Sequence, residues 1–450
     1  MPHATLDQRP MRRLLSPFTR FTQLESSGSI VLLLATLAAL AIANSHFAAA
    51  YNALVELPMG ARFGRFSSQW TFNGFINDGL MAIFFLVVGL EVKREILVGE
   101  LASLQRALLP AFGALGGVLT PALIYTVLNR NTANARGWGV PIATDIAFSL
   151  AVLTVFGTRI PTGLKLFLVT LAIVDDVAGV VVIATAYTHS LHLGFVAVAV
   201  LIFALCLVLN RLGVIRLSVY AVMGVALWWA LGESGIHPTL SGIVLALAVP
   251  SRSFMEPATF VDRGERRMRG LADPMIQMAP LSRESREHLR MLRLSTELLE
   301  SPLDRLQGYL HPWVSFVIVP LFAFTNAGIR LHGFHASTML KAEYSGIFLG
   351  LLLGKPIGIT AFSWIAVRLG FAELPYGVRW HQLHAVSWLG GIGFTVSIFI
   401  AGLAFDGTSD SVTARNAVLM ASASAAVLGA AMLMLTHRPS LYEQPDSPVP

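Results

Sequence analysis

Two adjacent aspartates, Asp175 and Asp176, lie in the middle of the apolar segment 166–184. That segment is long enough to cross a bilayer, where an isolated charge costs at least ~2.5–3.5 kcal/mol. A membrane segment tolerates such a charge when the carboxylates face a wet cavity and hold a cation or protons. The alternative is a structural polar pair between helices. The pair therefore indicates an ion or proton site inside a membrane domain.

Two further apolar segments contain strong polar exceptions. In the first, Pro141 interrupts the helical hydrogen bonding, and Thr144 and Asp145 follow it directly. A break in a membrane helix exposes helix ends and carbonyls that can bind ions. A simple proline kink with a salt-bridged Asp145 is the alternative. In the second, Lys355 is the only basic residue deep in an apolar segment. It needs an acidic partner unless it extends to the membrane surface.

A fourth segment, 389–398, has three glycines followed by Thr395 and Ser397, which predicts a weak or unwound helix centre. Close helix packing through small residues is the alternative. Interrupted helices at corresponding positions of two halves, here the Pro141 segment and this one, point to an inverted repeat.

These residue types fit a coupled exchange of cations and protons. Na⁺ is a hard cation that needs oxygen ligands, which Asp176, Asp145 and Thr144 can supply. Burial favours the protonated form of a carboxyl group, so protons compete with Na⁺ for the same oxygens. Competition combined with alternating access gives exchange. Any charge imbalance adds about 2.3 kcal/mol per charge per 100 mV of membrane potential.

Composition identifies the class of protein. The chain has 450 residues, of which 55% are hydrophobic and 13% are charged, against about 25% charged in soluble proteins. This indicates a polytopic membrane protein. The single cysteine, Cys206, excludes a disulfide framework and a cysteine metal site. The net charge of +6 does not indicate nucleic acid, because the arginines are not interleaved with a nucleic-acid motif.

Apolar windows of about 20 residues predict twelve spans. They lie near 28–46, 75–97, 107–128, 137–156, 161–187, 193–210, 215–231, 236–250, 312–330, 343–368, 384–404 and 413–435. The predicted organisation is a cytoplasmic segment 1–27, a transmembrane domain 28–435 with a cytoplasmic loop 251–311, and a disordered cytoplasmic tail 436–450. A cleaved signal peptide is an alternative for the N-terminus, but the distribution of basic residues favours an uncleaved first helix.

Basic residues predict the orientation. With the N-terminus in the cytoplasm, 24 Lys and Arg residues fall in cytoplasmic segments and 7 on the opposite side. The positive-inside rule then places both termini in the cytoplasm, which requires an even number of spans. The Arg-rich 251–311 segment is interpreted as a linker on anionic headgroups, with a regulatory or partner-binding loop as the alternative.

Several strings together resemble the NhaA-type sodium/proton antiporters, which have inverted repeats. The matching strings cover residues 77–95, 143–148, 171–176, 311–314, 320–324, 354–358 and 391–397, in family order over roughly 20–435. The resemblance implies an all-α polytopic membrane protein of about twelve helices, with an inverted-repeat antiporter fold and two discontinuous crossed helices. It implies a transporter in the bacterial inner membrane, not an enzyme, with no cofactor beyond the transported Na⁺, Li⁺ and H⁺.

The resemblance also implies roles for individual residues. Asp176 matches the essential ion- and proton-binding carboxylate, and Asp175 matches the neighbour that pairs with Lys355. Thr144 and Asp145 match the unwound segment beside the site, and Asp145 and Lys355 would offset the partial charges of helix ends. A homodimer is implied through an extramembrane hairpin after the first span, which residues 51–70 can supply.

The family's pH response is associated with groups that correspond to Glu91, Glu95 and His237, and Asp78 is a further candidate. Salt bridging with Lys93 or Arg94 and helix capping are the structural alternatives for these groups. The chain departs from the family pattern at the start of the ninth span. There Gln307 stands where a glutamate is common, and Gly308 and Asp304 also differ.

Three rival functions are less compatible with the sequence. An intramembrane aspartyl protease needs aspartates on two facing helices with tyrosine and glycine neighbours, whereas Asp175 and Asp176 are contiguous. A cation channel needs a ring of acidic groups or carbonyls, and Lys355 beside the site opposes one. A sodium-coupled organic-solute symporter of the same fold is the closest alternative to exchange of Na⁺ for protons.

Overall fold

The computed structural model describes residues 27–63, 66–157, 160–188, 191–253, 299–330 and 336–436, together with residues 287, 290 and 291. The predicted N-terminal segment, the predicted tail and most of the predicted loop 251–311 lie outside these residues. The described part of the chain is almost entirely helical, with one pair of strands.

The elements are given in chain order. They are α1 (Ser27–Ala43), α2 (Ala48–Val55), β1 (Pro58–Phe63), β2 (Phe66–Thr71), α3 (Phe72–Val98), α4 (Leu104–Leu128), a 3₁₀ segment (Ala133–Ile142), α5 (Ile146–Val155), α6 (Thr162–Ala186), α7 (Leu193–Arg211), α8 (Leu217–Ser234), α9 (Leu240–Ala248), α10 (Pro302–Asn326), α11 (Ala336–Met339), α12 (Ala342–Arg368), α13 (Trp380–Leu389), α14 (Phe394–Ala404) and α15 (Asp410–Thr436). Helices α3, α10 and α12 each include a π-helical turn, at Phe75–Leu80, Val314–Ile318 and Gly350–Gly354.

Eight helices in the described ranges are long and apolar enough to cross a membrane, and up to eleven spans result if each of three bent helix pairs is counted as one. The fold class of the sequence analysis is therefore confirmed, but its count of twelve spans is not. The window near 236–250 holds only α9, which has 9 residues. Nine residues rise about 13.5 Å, less than half of a hydrocarbon core of about 30 Å.

Local sequence explains two boundaries that differ from the predictions. Gly235 ends α8 in the left-handed conformation, with φ of 86°, and Pro238 and Pro250 flank α9, so no long helix forms there. Helix α10 begins at Pro302 because Ser301 accepts a hydrogen bond from the backbone N–H of Asp304. The last part of the predicted loop 251–311 is therefore helical.

Both predicted interruptions are present. The 3₁₀ segment Ala133–Ile142 and α5 meet at an angle of 42°, and α13 and α14 meet at 50°. The two breaks contact each other, because the N–H of Asp145 donates to the carbonyl of Ile392 at 2.6 Å. The hydroxyl of Ser149 in α5 also donates to the carbonyl of Leu389. Two discontinuous helices therefore meet at their breaks, as expected.

The chain divides into two compact units. The first comprises described residues of 1–81, 95–188 and 315–450, and it contains α4, α6, α12 and both interrupted helices. The second comprises described residues of 82–94 and 189–314. Within the second unit, the ammonium group of Lys93 donates to the carbonyls of Ala246, Leu247 and Val249 at the end of α9. A cation at a helix C-terminus is a stabilising arrangement.

Strands β1 and β2 form the hairpin that the sequence analysis assigned to residues 51–70, and β2 extends one residue further. Strands β1 and β2 pair antiparallel, with Pro58 opposite Thr71 and Phe63 opposite Phe66. The expectation of a hairpin after the first helix is confirmed.

Helices α4 and α12 approach most closely through glycine. A Cβ atom on Gly116 would overlap the carbonyl group of Gly358 and would lie 2.7 Å from Cβ of Phe362. The contact is backbone against backbone, so no side-chain rotation can relieve an added methyl group. This pair of glycines fixes the spacing between α4 and α12, and α12 carries Lys355 of the site described below.

We expect Gly116→Ala to lower the melting temperature and the folded yield in detergent, because overpacking typically costs about 1–3 kcal/mol or more. Gly308→Ala is the matched control, since Gly308 also lies in a helix but nothing lies within 4 Å of an added Cβ. Alanine there should be neutral or stabilising, because glycine costs about 1 kcal/mol in a helix. Equal melting temperatures for the two variants would contradict the close approach.

Candidate ion and proton site

Asp175 and Asp176 lie in the middle of α6 and are buried. Their side chains are on a 25-residue helix, and the residues are 0% and 4% exposed. Neither is near a helix end that would bring it to the membrane surface. Burial of both carboxyl groups at this depth requires compensating groups from other helices.

Two side chains from other segments of the chain compensate the buried carboxyl group of Asp175. Lys355 of α12, which is 0% exposed, forms an ion pair and hydrogen bond with Asp175 Oδ2. The hydroxyl of Thr144 donates to the same oxygen at 2.7 Å. The other oxygen, Oδ1, is buried without a hydrogen-bond partner among the described residues. Lys355 thus pairs with an acid as the resemblance implies, and a lysine extended to the membrane surface is excluded.

Thr144 connects Asp175 to the second interrupted helix. Its Oγ1 lies 2.7 Å from Asp175 Oδ2 and 2.8 Å from the carbonyl oxygen of Gly390. A threonine hydroxyl carries a single proton, so it fully satisfies only one of these acceptors at a time. A change in the protonation or ion pairing of Asp175 can therefore alter the hydrogen bond between Thr144 and the carbonyl of Gly390 in the 390–393 break.

Asp145 caps two helices. Its Oδ1 accepts the N–H of Phe148 in the first turn of α5 at 3.0 Å. Its Oδ2 accepts both the N–H and the hydroxyl of Thr395, at 3.1 and 2.6 Å, in the first turn of α14. A carboxylate is favourable at a helix N-terminus, and here it serves two. Across the described ranges Asp145 is hydrogen-bonded rather than salt-bridged, so the alternative of a kink with a salt bridge is wrong.

Two of the three predicted Na⁺ ligands are engaged within the protein, because the oxygens of Asp145 and Thr144 take part in the hydrogen bonds above. Coordination of Na⁺ by Asp176, Asp145 and Thr144 stays a prediction, and it requires these hydrogen bonds to exchange. In the part of the chain that the structure describes, no group of three or more His, Cys, Asp or Glu side chains forms a resident metal site.

Sequence reasoning missed two participants. It used Thr395 only to predict a weak helix, whereas the structure gives its hydroxyl and N–H to Asp145. It did not assign the carbonyl of Gly390, which faces Thr144. The string Gly391-Ile-Gly-Phe-Thr395 indicated where the next helix begins, but it did not indicate which distant residue Thr395 would contact.

Comparison with known proteins gives the family. The sequence model described as Na⁺/H⁺ antiporter 1 matches residues 19–433. The chain belongs to this family. Similar relatives, each named Na⁺/H⁺ antiporter NhaA, include one from Koribacter versatilis, 43% identical over 98% of this chain and 96% of the relative. Others are from Oleidesulfovibrio alaskensis, at 44% over 95% of each chain, and Yersinia pseudotuberculosis, at 40% over 92% of this chain and 95% of the relative.

Family membership confirms the resemblance. Two candidates for a pH response make local contacts in the structure. Glu95 lies near the end of α3, and its Oε2 accepts the N–H of Glu100 at 3.0 Å. It therefore caps the turn that precedes α4, as the capping alternative proposed. His237 also makes a local contact, since its Nδ1 lies 2.7 Å from the hydroxyl of Thr239, just before α9.

The other two candidates lie on α3. Glu91 is half-buried in its last two turns, and Lys93 donates hydrogen bonds to carbonyls at the end of α9. Asp78 lies at the opposite end of α3, in the π-helical turn Phe75–Leu80. Asp78 is therefore separated along α3 from Glu91 and Glu95. A role of these four residues in a pH response stays a prediction.

Proposed function

We propose that this protein exports cytoplasmic Na⁺, and also Li⁺, in exchange for external protons across a bacterial inner membrane. Exchange is electrogenic and pH-regulated, it serves sodium and pH homeostasis, and both chain termini lie in the cytoplasm. The observation that carries the proposal is the buried group of Asp175, Lys355 and Thr144 at the contact of two broken helices, in a chain of this family. The reported relatives carry an antiporter name, and they do not support the symporter alternative.

Exchange follows from competition at the carboxyl groups. An ionised Asp176 offers oxygens that a dehydrated Na⁺ needs, and a protonated Asp176 does not. The breaks at Asp145 and at 390–393 supply hydroxyl, carboxylate and carbonyl oxygens nearby, all held by hydrogen bonds that can change partner. Because the cation and the proton exclude each other, each passage of the site between the two membrane faces carries one or the other.

The Asp175–Lys355 pair maintains the charge balance of the site. An ammonium group beside the paired carboxylate limits the number of uncompensated negative charges when Asp176 is ionised. If more than one proton is exchanged for each Na⁺, net charge crosses the membrane. The membrane potential then contributes about 2.3 kcal/mol per charge per 100 mV to Na⁺ export.

The β1–β2 hairpin supports a dimer. It is a two-stranded sheet, so each strand has one edge without a partner strand in the described chain. Free strand edges readily pair with a second chain. We assign the hairpin to the contact between two copies of this protein, as the resemblance implies.

Dye measurements in inside-out vesicles test the proposed function. After respiration or ATP hydrolysis acidifies the vesicle interior, added Na⁺ or Li⁺ should dissipate the pH gradient, and K⁺ should not. Vesicles that lack the protein are the control. Absence of a Na⁺ response between pH 6.5 and 9, with the protein confirmed in the membrane, would contradict exchange and favour Na⁺-coupled uptake of an organic solute.

A further inference from the structure

Helix α12 contains a π-helical turn directly before Lys355. In this turn, Gly350–Gly354, the N–H of Lys355 donates to the carbonyl of Gly350, five residues earlier. In an α-helix the acceptor would be Leu351, four residues earlier. Pro356 explains the turn, because a proline ring in a regular α-helix clashes with the carbonyl four residues before it. The turn therefore holds one residue more than an α-helical turn would.

The same spacing occurs in α10. There the π-helical turn Val314–Ile318 is followed by Val319 and then by Pro320. Both helices thus have a π-helical turn of five residues, then one further residue, then a proline. The side chains within the two turns differ, so the proline at this spacing accounts for the turns better than the residues inside them.

The extra residue sets the direction of the Lys355 side chain. An α-helix rotates by about 100° per residue, so a regular helix continued from Leu349 would direct Lys355 about 100° away from its observed position. The observed direction is toward α6, where the ammonium group pairs with Asp175. The Cβ position of Gly117 on α4 lies 3.5 Å from the ammonium nitrogen, so this neighbouring helix also confines the side chain.

Close packing on both sides of the turn depends on the same extra residue. Before Lys355, a Cβ atom on Gly350 would lie 2.8 Å from Cβ of Pro141. After Lys355, Gly358 lies against the backbone of Gly116. If the turn became α-helical, one half of α12 would rotate by about 100° relative to the other and lose its contacts. The π-helical turn thus satisfies both contacts and the ion pair together.

The turn has a cost, because the carbonyl of Leu351 loses both of its helical donors. Lys355 donates to Gly350, and the next residue is a proline without an N–H. Leu351 is 0% exposed, and its carbonyl oxygen lies 2.5 Å from the Cβ position of Gly391 in the second interrupted helix. A buried polar group that loses its hydrogen bonds destabilises the fold. π-helical turns are frequent at functional sites, and this one lies beside the Asp175–Lys355 pair.

We propose that Pro356 is a positioning residue of the site, because it holds the π-helical turn that directs Lys355 to Asp175. This inference rests on the proposed function, since the pair affects exchange only if the carboxyl groups of α6 bind Na⁺ and protons. Pro356 has no polar side-chain atom for either ion and acts through Lys355. An ammonium group favours the ionised form of nearby carboxyl groups, so its displacement lets protons compete better with Na⁺.

Pro356→Ala tests the positioning role in inside-out vesicles. Alanine removes the ring and supplies an N–H, so α-helical hydrogen bonds can form at positions 355 and 356 and rotate Lys355 away from Asp175. The pH of half-maximal Na⁺-driven proton movement should rise by about one unit, the size of effect expected when a neighbouring opposite charge is lost. Pro320→Ala is the matched control, since it removes the corresponding proline of α10, and it should leave this pH unchanged.

Deletion of Leu353 from the Pro356→Ala variant should restore the wild-type pH dependence. With one residue fewer, the turn becomes a regular α-helix, and Lys355 returns to its observed direction. Leu353 is 39% exposed, so its deletion removes little buried contact. A second change can repair a misdirected side chain in this way, but it cannot repair a general loss of packing. Rescue by the deletion therefore distinguishes positioning from a purely structural role.

Melting temperatures in detergent give a second measurement if the deletion variant does not insert. Pro356→Ala should cost less stability in an Asp175→Asn background than in the wild type, because the pair that it disturbs is already absent. Additive effects would overturn the positioning role, as would an unchanged pH dependence of Pro356→Ala or a shifted one that the deletion does not restore. Absence of a Na⁺ response in the wild type would instead contradict the proposed function, and the melting temperatures would still test the positioning of Lys355.

Discussion

Asp176→Asn is expected to reduce Na⁺-driven proton movement to the background of vesicles that lack the protein. Asparagine has the same shape as aspartate but neither binds a proton in this pH range nor offers a carboxylate to Na⁺. Both competing ligands therefore lose their site at once. The measurement is the dye response to Na⁺ and to Li⁺ between pH 6.5 and 9, normalised to the amount of protein in the membrane.

Folding must be measured beside this variant. Asp176 is buried, and removal of its charge lowers the desolvation cost, so the melting temperature of Asp176→Asn should equal or exceed that of the wild type. Glu233→Gln is the control, since Glu233 is an exposed carboxylate at the end of α8, and it should leave exchange unchanged. Substantial exchange by Asp176→Asn would refute the assignment of this residue.

Lys355→Met is expected to have the largest effect on stability. The substitution removes the ammonium group from a fully buried ion pair and leaves Asp175 with the Thr144 hydroxyl. Loss of one partner of a buried pair costs about 3–5 kcal/mol. Thermal unfolding in detergent, monitored by the far-ultraviolet helical signal, should show a large decrease in melting temperature.

A double-mutant cycle separates the pair from its neighbours. In an Asp175→Asn background, Lys355→Met should cost much less, because no uncompensated carboxylate remains. A coupling free energy of about 2 kcal/mol or more would support the pairing, since contacting residues couple by roughly 0.5–3 kcal/mol. Strictly additive effects of the two substitutions would contradict the ion pair.

The sequence predicted those site residues whose burial in a membrane segment costs free energy unless they have a partner. A buried charge in an apolar segment must have a partner, and this logic located Asp175, Asp176 and Lys355. The break after Pro141 followed from the missing backbone N–H of proline. The structure pairs Asp175 with Lys355 and brings both breaks together. The long helices also followed from pattern, whereas the hairpin after the first helix was expected only from the family resemblance.

Pattern could not supply contacts between distant segments. Nothing local indicated that Thr395, 250 residues from Asp145 in the chain, would donate two hydrogen bonds to its carboxylate. Hydropathy also predicted a membrane span in the window 236–250 that is longer than the observed helix. The average over the window does not register Pro238 and Pro250, which limit α9 to 9 residues.

The central claim is that Na⁺ and protons compete for the carboxyl groups of α6, and the proton release caused by Na⁺ binding tests it most directly. Purified protein in weakly buffered detergent solution should acidify the medium when NaCl or LiCl is added, as reported by a soluble pH indicator. KCl should cause no release, and Asp176→Asn should release none with Na⁺. Undiminished release by Asp176→Asn, or saturable Na⁺ binding by the wild type without proton release, would contradict the competition.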